Sequence, residues 1–281
     1  MISMNLSAQI QYIHHSGQAM IDVDLISPKQ ILSHHVRSIR AKYATKYDGE
    51  LMQLNKKEVF FDFNEKGYLI KAKERNHYRH KADSLVHRYF YKAPNYLSAH
   101  VVFEPQGNTV FTFENKGDHH LLAAYLIPRE LLWNEHLSPE YRLWQDSLAP
   151  ETNGRFTSYN EFGKAYKYLI ERRDEHSQLT GIDEYQYGGK LVCAYYYQRD
   201  AEQRLTHIEA RPNNKYLFPW RKEFTYDDHG RLSEVRYFKN DRLETYRRIS
   251  YGENDLPEID ITRNEVTTKM DIVKYEYSYV K

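Results

Sequence analysis

The stretch FTYDDHGRLSEVRYF, residues 224–238, decides the fold class of this chain. Phe224 and Tyr226 lie two positions apart before a polar Asp-Asp-His-Gly segment, and Val235 and Tyr237 lie two positions apart after it. Alternate residues of a strand lie on the same face of a sheet, and Gly230 supplies the positive φ that such a turn often needs. The stretch therefore predicts a β-hairpin with one wet face.

Similar phrases recur along the chain, each with a strand-like run, a polar turn and a second run. They are FDFNEKGYL (61–69), FEPQGNT (103–109), YNEFGKA (159–165), YQYGGKL (185–191), YFKNDRL (237–243) and YGENDLP (251–257). From residue 156 to residue 281 we predict an antiparallel β-meander of repeated hairpins, with about eight or nine strands. Its turns are predicted near residues 161, 188, 201, 228, 240 and 254.

Residues 1–150 are predicted to form a β-rich N-terminal region with two or three short helices. The Ser-Pro-Lys-Gln sequence at 27–30 predicts a capped helix that runs to about residue 41. A second Ser-Pro start, at Ser138, predicts a helix with Tyr141, Trp144 and Leu148 on one side.

The N-terminal region also contains a further helical candidate, two strand-like patches and a candidate joint to the meander. Residues 128–135 offer one more helical turn, and strand-like patches lie at 8–14 and 18–25. The aperiodic segment SLAPETNGR, 147–155, is the predicted joint to the meander, unless both halves share one continuous sheet. The predicted fold class is mainly β.

Composition limits the partners and the compartment of the chain. The 281 residues include 40 Lys plus Arg and 39 Asp plus Glu, so no net field favours nucleic acid or an anionic membrane as a partner. Cys193 is the single cysteine, and the N-terminus does not resemble a signal peptide, which predicts a cytoplasmic protein. The longest strongly apolar run, residues 121–127, predicts no transmembrane segment because a span needs about 20 residues.

The recurring phrases resemble the YD-repeat, or Rhs-repeat, proteins. Residues 226–232 read Tyr-Asp-Asp-His-Gly-Arg-Leu and fit the motif fully, and residues 251–256 fit it in part. Large members of that family build a β shell around a toxin domain, which this chain is too short to enclose. The resemblance implies a short immunity or orphan protein of a bacterial polymorphic toxin system.

Signatures of chemistry are sparse. The sequence contains no GxxxxGK, GxGxxG after a strand, HExxH or GxSxG motif, so we predict no cofactor and no enzyme activity. His77, His80 and His87 are weak candidates for metal ligands and motivate one alternative, a histidine-based metal-dependent hydrolase. Alternation places Cys193 in a strand as a buried structural thiol.

Tyrosine is the residue that points to binding, because it offers a large rigid surface with a polar tip. The chain has 26 tyrosines, and the loop RPNNKYLFPW at 211–220 adds apolar side chains that either plug a sheet edge or anchor a partner. The predicted partner-binding residues are Tyr185, Tyr187, Tyr195, Tyr197, Tyr216, Phe218, Trp220 and Tyr237.

The sequence alone therefore predicts a protein-binding module. Its predicted role is a cytoplasmic immunity protein that neutralises a cognate toxin by direct binding, with no nucleic-acid or membrane partner. The alternatives are an orphan structural fragment of an Rhs-type toxin system and the metal-dependent hydrolase. Trp220 and Tyr216 are the anchors predicted to contribute most to that contact.

Overall fold

A computed structural model of the chain describes residues 26–76, 84–93, 96–104, 107–116, 119–128, 137–151 and 154–280. A short helix, α1 (Pro28–Ser33), precedes eighteen strands. The first nine are β1 (Val36–Tyr47), β2 (Gln53–Phe63), β3 (Leu69–Asn76), β4 (Ser84–Ala93), β5 (Tyr96–Glu104), β6 (Gly107–Lys116), β7 (His119–Ile127), β8 (Arg142–Pro150) and β9 (Arg155–Tyr159). The others are β10 (Ala165–Arg173), β11 (Leu179–Gln186), β12 (Leu191–Arg199), β13 (Leu205–Pro212), β14 (Trp220–Tyr226), β15 (Leu232–Lys239), β16 (Arg242–Tyr251), β17 (Pro257–Asn264) and β18 (Lys269–Tyr279).

The sheet closes on itself. Each strand pairs antiparallel with the next along the chain, and β1 pairs with both β2 and β18. Ile39 lies opposite Phe61 on one side and Tyr277 on the other. The mainly β, antiparallel prediction is confirmed, but the open meander is wrong: the molecule is a closed 18-strand β-barrel, and closure leaves no sheet edge unpaired.

The predicted turns near 161, 188, 201, 228, 240 and 254 are confirmed, because each falls between two paired strands. The chain also reverses at 174–178 and 265–268, which were not predicted, and at 213–219, which was predicted only as a loop. Strands β9 to β18 therefore number ten and not eight or nine. Residues 151–154 connect β8 to β9 within the same sheet. The division of the chain into residues 1–150 and 156–281 stays a prediction.

The predicted helices are mostly wrong. The capping box at Ser27 is present, with Gln30 Oε1 accepting from Ser27 N at 2.9 Å, but α1 ends at Ser33. Strand β1 takes the place of the rest of the predicted helix. It pairs with β2 along one edge and with β18 along the other, and this tertiary pairing overrides local helix propensity.

The second predicted helix, from Ser138, is a 3-10 turn at Pro139–Tyr141 followed by strand β8. The strand patches at 8–14 and 18–25, and nearly all of the helical turn at 128–135, lie outside the described residues. No helix in the described ranges is long and apolar enough to cross a membrane.

Apolar side chains form three separate clusters along the sheet. The largest joins α1 to β1–β3 and includes Ile31, Ile39 and Phe61. The second surrounds Tyr195, and the third surrounds Val101. Separate clusters are what a wide barrel produces, because eighteen strands enclose more space than their own side chains can fill.

The hairpin turns gather at the two ends of the barrel, because an up-and-down sheet reverses alternately at one end and the other. One end, here called the Asx end, carries the turns 64–68, 174–178, 200–204, 227–231 and 252–256. The other, here called the apolar end, carries the turns 48–52, 160–164, 187–190, 213–219, 240–241 and 265–268.

Candidate functional site

Large apolar side chains are exposed in the turns of the apolar end. Phe162 is 84% exposed in a turn of otherwise polar and glycine residues, and Leu51 is 90% exposed beside Met52 in the turn 48–52. We call this set the apolar rim; it consists of Leu51, Met52, Phe162, Tyr187, Tyr216, Leu217, Phe218 and Val266. The five described turns of the Asx end contain none of the large exposed hydrophobic residues, although Leu32 of α1 and Val280 after β18 are exposed at that end. Exposed apolar surface concentrated in this way marks an interaction site.

The turn at 213–219 holds three rim residues in a fixed conformation. Asn213 N donates to the Val192 carbonyl at 2.8 Å, and its side-chain amide donates to the Leu191 carbonyl at 3.1 Å. Asn214 Oδ1 accepts from Tyr216 N at 3.0 Å. Because neighbouring strands fix both ends of the loop, its aromatic side chains project from a rigid base and lose little entropy on binding.

Trp220 is not part of the exposed loop. It is the first residue of β14, where it is half-buried, with its ring centroid 6.4 Å from that of Tyr195 and 6.2 Å from that of Tyr237. The tryptophan belongs to the cluster of apolar side chains that surrounds Tyr195. Its packing stabilises the wall of the barrel, whereas Tyr216 and Phe218 extend from the end.

The predicted partner-binding tyrosines are divided between the rim and the wall. Tyr187 lies in the rim, but Tyr195 and Tyr197 are each only 6% exposed, and burial raises the pKa of both hydroxyls. Tyr185 stacks on Tyr168 at 4.9 Å as a cross-strand pair. The structure therefore brings Tyr187, Tyr216 and Phe218 to one end and leaves Tyr185, Tyr195, Tyr197, Trp220 and Tyr237 in the sheet.

Five rim residues were missed by sequence reasoning: Leu51, Met52, Phe162, Leu217 and Val266. Their signal is an apolar residue at the tip of a polar turn, where a folded chain has no need of one. That signal was present in NEFGK, residues 160–164, but it has meaning only once the turn is placed at the same end as the others.

Lysines accompany three consecutive turns of the apolar end. Lys164, Lys190 and Lys215 are exposed, and none makes an ion pair with a carboxylate of the residues the structure describes. The Lys215 ammonium lies 5.1 Å from the ring centroid of Tyr216, and that of Lys239 lies 5.1 Å from the ring of Phe218. The rim thus combines aromatic rings with positive charge.

Two stacked histidines lie in the wall, away from the rim. His87 Nδ1 and His100 Nε2 are 3.0 Å apart, so one nitrogen donates and the other accepts. Burial, and secondly the neighbouring His87, lower the pKa of His100 to about 3. Its ring stacks on Tyr89 at 4.6 Å. Both features favour a neutral, packed imidazole.

Of the three histidines predicted as weak metal-ligand candidates, only His87 lies within the described residues. His77 and His80 lie outside the described residues, and His87 contacts His100. Across the described part of the chain, no three His, Cys, Asp or Glu side chains are grouped as metal ligands. Cys193 is buried, and burial raises the pKa of its thiol, which keeps it protonated and unreactive.

A polar groove of about 280 Å³ crosses strands β12 to β14. Its lining residues are Tyr196, Gln198, His207, Glu209, Arg221 and Glu223. Glu223 is paired with Arg221 at 2.8 Å, and Glu209 is paired with Arg211 at 2.7 Å. Because its carboxylates are already neutralised by arginines, the groove offers balanced polar surface and no activated group.

No protein-family model matches the chain, and no curated protein sequence matches it. Among solved structures, the chain is similar to a porin-like protein from Bacteroides uniformis ATCC 8492, with 10% identity, a TM-score of 0.41 and coverage of 86% of this chain and 98% of that one. It is similar to the LolA superfamily protein NE2245 from Nitrosomonas europaea, with 10% identity, a TM-score of 0.29 and coverage of 92% of each chain. A match to TcdB2-TccC3-Cdc42 has 12% identity and a TM-score of 0.27 and covers 74% of this chain but 12% of that one.

These findings correct the YD-repeat prediction, which is wrong. No protein-family model, and therefore no YD-repeat model, matches the chain, and its sheet closes into a barrel instead of forming an open meander. The residues that carried the resemblance have a local role: the Tyr226 hydroxyl donates to the Leu205 carbonyl at 2.8 Å, and the Arg231 guanidinium stacks 4.5 Å from the ring centroid of Tyr251. They tie adjacent hairpins together within the closed sheet.

The predicted role as an immunity protein rested on that resemblance and is wrong with it, whereas the cytoplasmic location stays a prediction. No family model and no curated sequence matches the chain, so neither comparison points to a cognate toxin as its partner. Of the predicted binding residues, Tyr187, Tyr216 and Phe218 form an exposed aromatic surface.

Proposed function

We propose that the protein is a binding barrel that attaches end-on to the surface of a lipid bilayer through its apolar rim. One observation carries this proposal: the large exposed apolar side chains of five hairpin turns share one end of the barrel. Turns at one end of an up-and-down barrel lie close to a common plane, and a bilayer surface is a planar apolar boundary.

The spacing of the rim residues favours a lipid surface over a protein partner. Phe162, Tyr187 and Tyr216 sit on separate turns, and two strands of the sheet separate each turn from the next. A fluid acyl phase accommodates separate side chains individually, whereas a protein partner needs one contiguous, complementary patch. Burying each of these side chains contributes on the order of 1 to 2 kcal/mol, so several together suffice for stable attachment.

Charged side chains lie on both faces of the sheet. They favour attachment of the barrel to the bilayer surface over insertion of its strands into the hydrocarbon core. On one face Lys42 pairs with Glu276 at 2.5 Å, and on the other Arg247 pairs with Asp260 at 2.6 Å. A charged side chain facing lipid at the bilayer midplane costs about 2 to 4 kcal/mol. The rim turns would therefore enter the interface while the strands stay outside it.

The test is flotation of the protein with vesicles made of equal parts of phosphatidylcholine and phosphatidylglycerol. The rim variant combines Phe162→Ser, Tyr216→Ser, Leu217→Ser and Phe218→Ser. We expect the wild-type protein to float with the vesicles and the rim variant to bind at least about a hundredfold more weakly, because four apolar side chains are lost from the interface.

The matched control carries four substitutions at the corresponding exposed positions of the Asx end: Lys66→Ser, His176→Ser, Glu202→Ser and His229→Ser. It should bind as the wild-type protein does. Thermal melting confirms that both variants fold. A wild-type protein that floats with no vesicle, or a rim variant that binds as tightly as the control, would refute the proposal.

A further inference from the structure

The apolar rim is not uniform in charge around the barrel. The turns 160–164, 187–190 and 213–219 follow one another at the apolar end and contain three lysines and one glutamate, a net charge of +2. The turns 240–241, 265–268 and 48–52 contain four acidic residues and no basic one, a net charge of −4. We call the first group the lysine arc.

We propose that the lysine arc binds the anionic headgroups of phospholipids, an inference that rests on the proposed membrane attachment and adds to it the class of lipid. Each turn of the arc carries an exposed aromatic residue and a lysine: Phe162 with Lys164, Tyr187 with Lys190, and Tyr216 with Lys215. Aromatic rings rest at the headgroup level of a bilayer, and lysines beside them reach the lipid phosphates.

The lysines of the arc are available for this contact because the nearby acidic residues have other partners. The carboxylate of Glu161 lies 4.0 Å from the Arg142 guanidinium, and that of Asp241 lies 3.2 Å from Arg221. Each of these two carboxylates thus lies beside an arginine, although Arg221 also pairs with Glu223. The exposed lysines of the arc are Lys164, Lys190 and Lys215. The arc therefore presents net positive charge beside apolar side chains.

The charge of the Asx end determines how the barrel is oriented when it approaches an anionic membrane. The five described turns of the Asx end contain nine acidic and three basic residues, a net charge of −6. The described turns of the apolar end sum to a net charge of −2, but three lysines lie together in the arc. Because the potential of an anionic surface acts within about a Debye length, such a surface attracts the lysine arc locally and repels the Asx end more strongly. The barrel should approach such a membrane with the arc leading.

Two kinds of vesicle test the headgroup preference, one of phosphatidylcholine alone and one of equal parts phosphatidylcholine and phosphatidylglycerol. A lysine near an anionic surface is worth about a fivefold change in affinity, so the arc should favour the mixed vesicles by on the order of a hundredfold. Raising the salt concentration should reduce that preference.

The arc variant combines Lys164→Gln, Lys190→Gln and Lys215→Gln, and it should bind both kinds of vesicle equally. The matched control, Lys66→Gln with Lys92→Gln and Lys274→Gln, removes the same charge from exposed positions away from the apolar end and should keep the preference. Soluble glycerol phosphate serves as a competitor and should not displace the protein.

The outcomes separate this inference from the proposal it rests on. If the wild-type protein binds both kinds of vesicle equally, or the arc variant behaves like the control, the headgroup inference fails while membrane attachment stands. Displacement by glycerol phosphate would also overturn it, in favour of a soluble anion as the ligand. If no vesicle is bound at all, both proposals fail.

Discussion

The two ends of the barrel use the same turn for different purposes. At the apolar end, Asn160 Oδ1 accepts from the amides of Phe162 and Lys164 at 3.1 and 3.0 Å. At the Asx end, Asp174 Oδ1 accepts from the amides two and four residues later, both at 2.9 Å. The turns differ in the residue at the third position, which is Phe162 in one and His176 in the other.

This comparison shows which residues the turn requires. The aspartate or asparagine satisfies backbone amides, and the fourth residue adopts a positive φ, 69° at Gly163 and 61° at Ser177. The side chain at the third position points to solvent, so the fold requires no particular residue type there. A phenylalanine there is unnecessary for chain reversal, so its exposure needs another explanation, which surface attachment provides.

The largest predicted difference between the ends concerns their glycines. At Gly67, with φ of 76°, an added Cβ would lie 3.1 Å from the Pro28 carbonyl carbon and closer still to its oxygen, because α1 packs on this turn. Gly163, with φ of 69°, has open space around it. Gly67→Ala should reduce the free energy of unfolding by about 3 kcal/mol and Gly163→Ala by about 1 kcal/mol. Urea denaturation measures both, and equal losses would show that α1 does not constrain the Asx end.

A pH effect in the wall must be separated from effects at the ends. Burial, and then His87, hold the pKa of His100 at about 3, below the 6.5 of a free imidazole. The unfolded chain therefore binds more protons, and stability should fall by about 1.4 kcal/mol for each pH unit below 6.5. His100→Gln should flatten this dependence in urea titrations, whereas His176→Gln, an exposed control, should not. An unchanged slope in His100→Gln would contradict the assignment.

At low pH, a smaller difference in local stability should appear between the turn 227–231 and the turn 160–164. Burial works against the charged form of Asp227, but hydrogen bonds from the Arg231 amide and side chain lower its pKa overall. The stability that this carboxylate confers is present above about pH 3.8 and lost as the pH falls through its lower folded pKa. Asn160 carries no titratable group, so hydrogen exchange near pH 2 should show reduced protection at His229 and Arg231 but not at Phe162 and Lys164. Asp227→Asn should remove the difference, and its persistence would trace the effect to another group.

The smallest effect is predicted at the rim itself. Phe162→Ser should change the free energy of unfolding by less than about 0.5 kcal/mol, because an exposed side chain makes few contacts to lose. Phe61→Ala, at a residue only 3% exposed, should cost about 3 to 5 kcal/mol. A loss above 1 kcal/mol in Phe162→Ser would mean that the rim packs on the barrel, and the contrast between the ends would disappear.

Sequence reasoning predicted the local elements well where the signal is short-range. The turn at 227–231 and the capping box at Ser27 depend on hydrogen bonds between residues no more than four positions apart, so their residue types are sufficient evidence. The rim was beyond such reasoning. Which end a turn occupies depends on the number of strands before it, and treating residues 138–148 as a helix, or missing the reversal at 174–178, changes that number.

The sequence by itself determined an antiparallel β protein with Asx turns, because alternation and turn chemistry act between neighbours in the chain. Only the tertiary structure decided that the sheet closes. Ser38 meets Ser278 at 2.5 Å across 240 residues, a pairing that no local pattern encodes. Closure then divided the turns into two ends, and it placed Phe162, Tyr187 and Tyr216 together because strand pairing sets their positions in space.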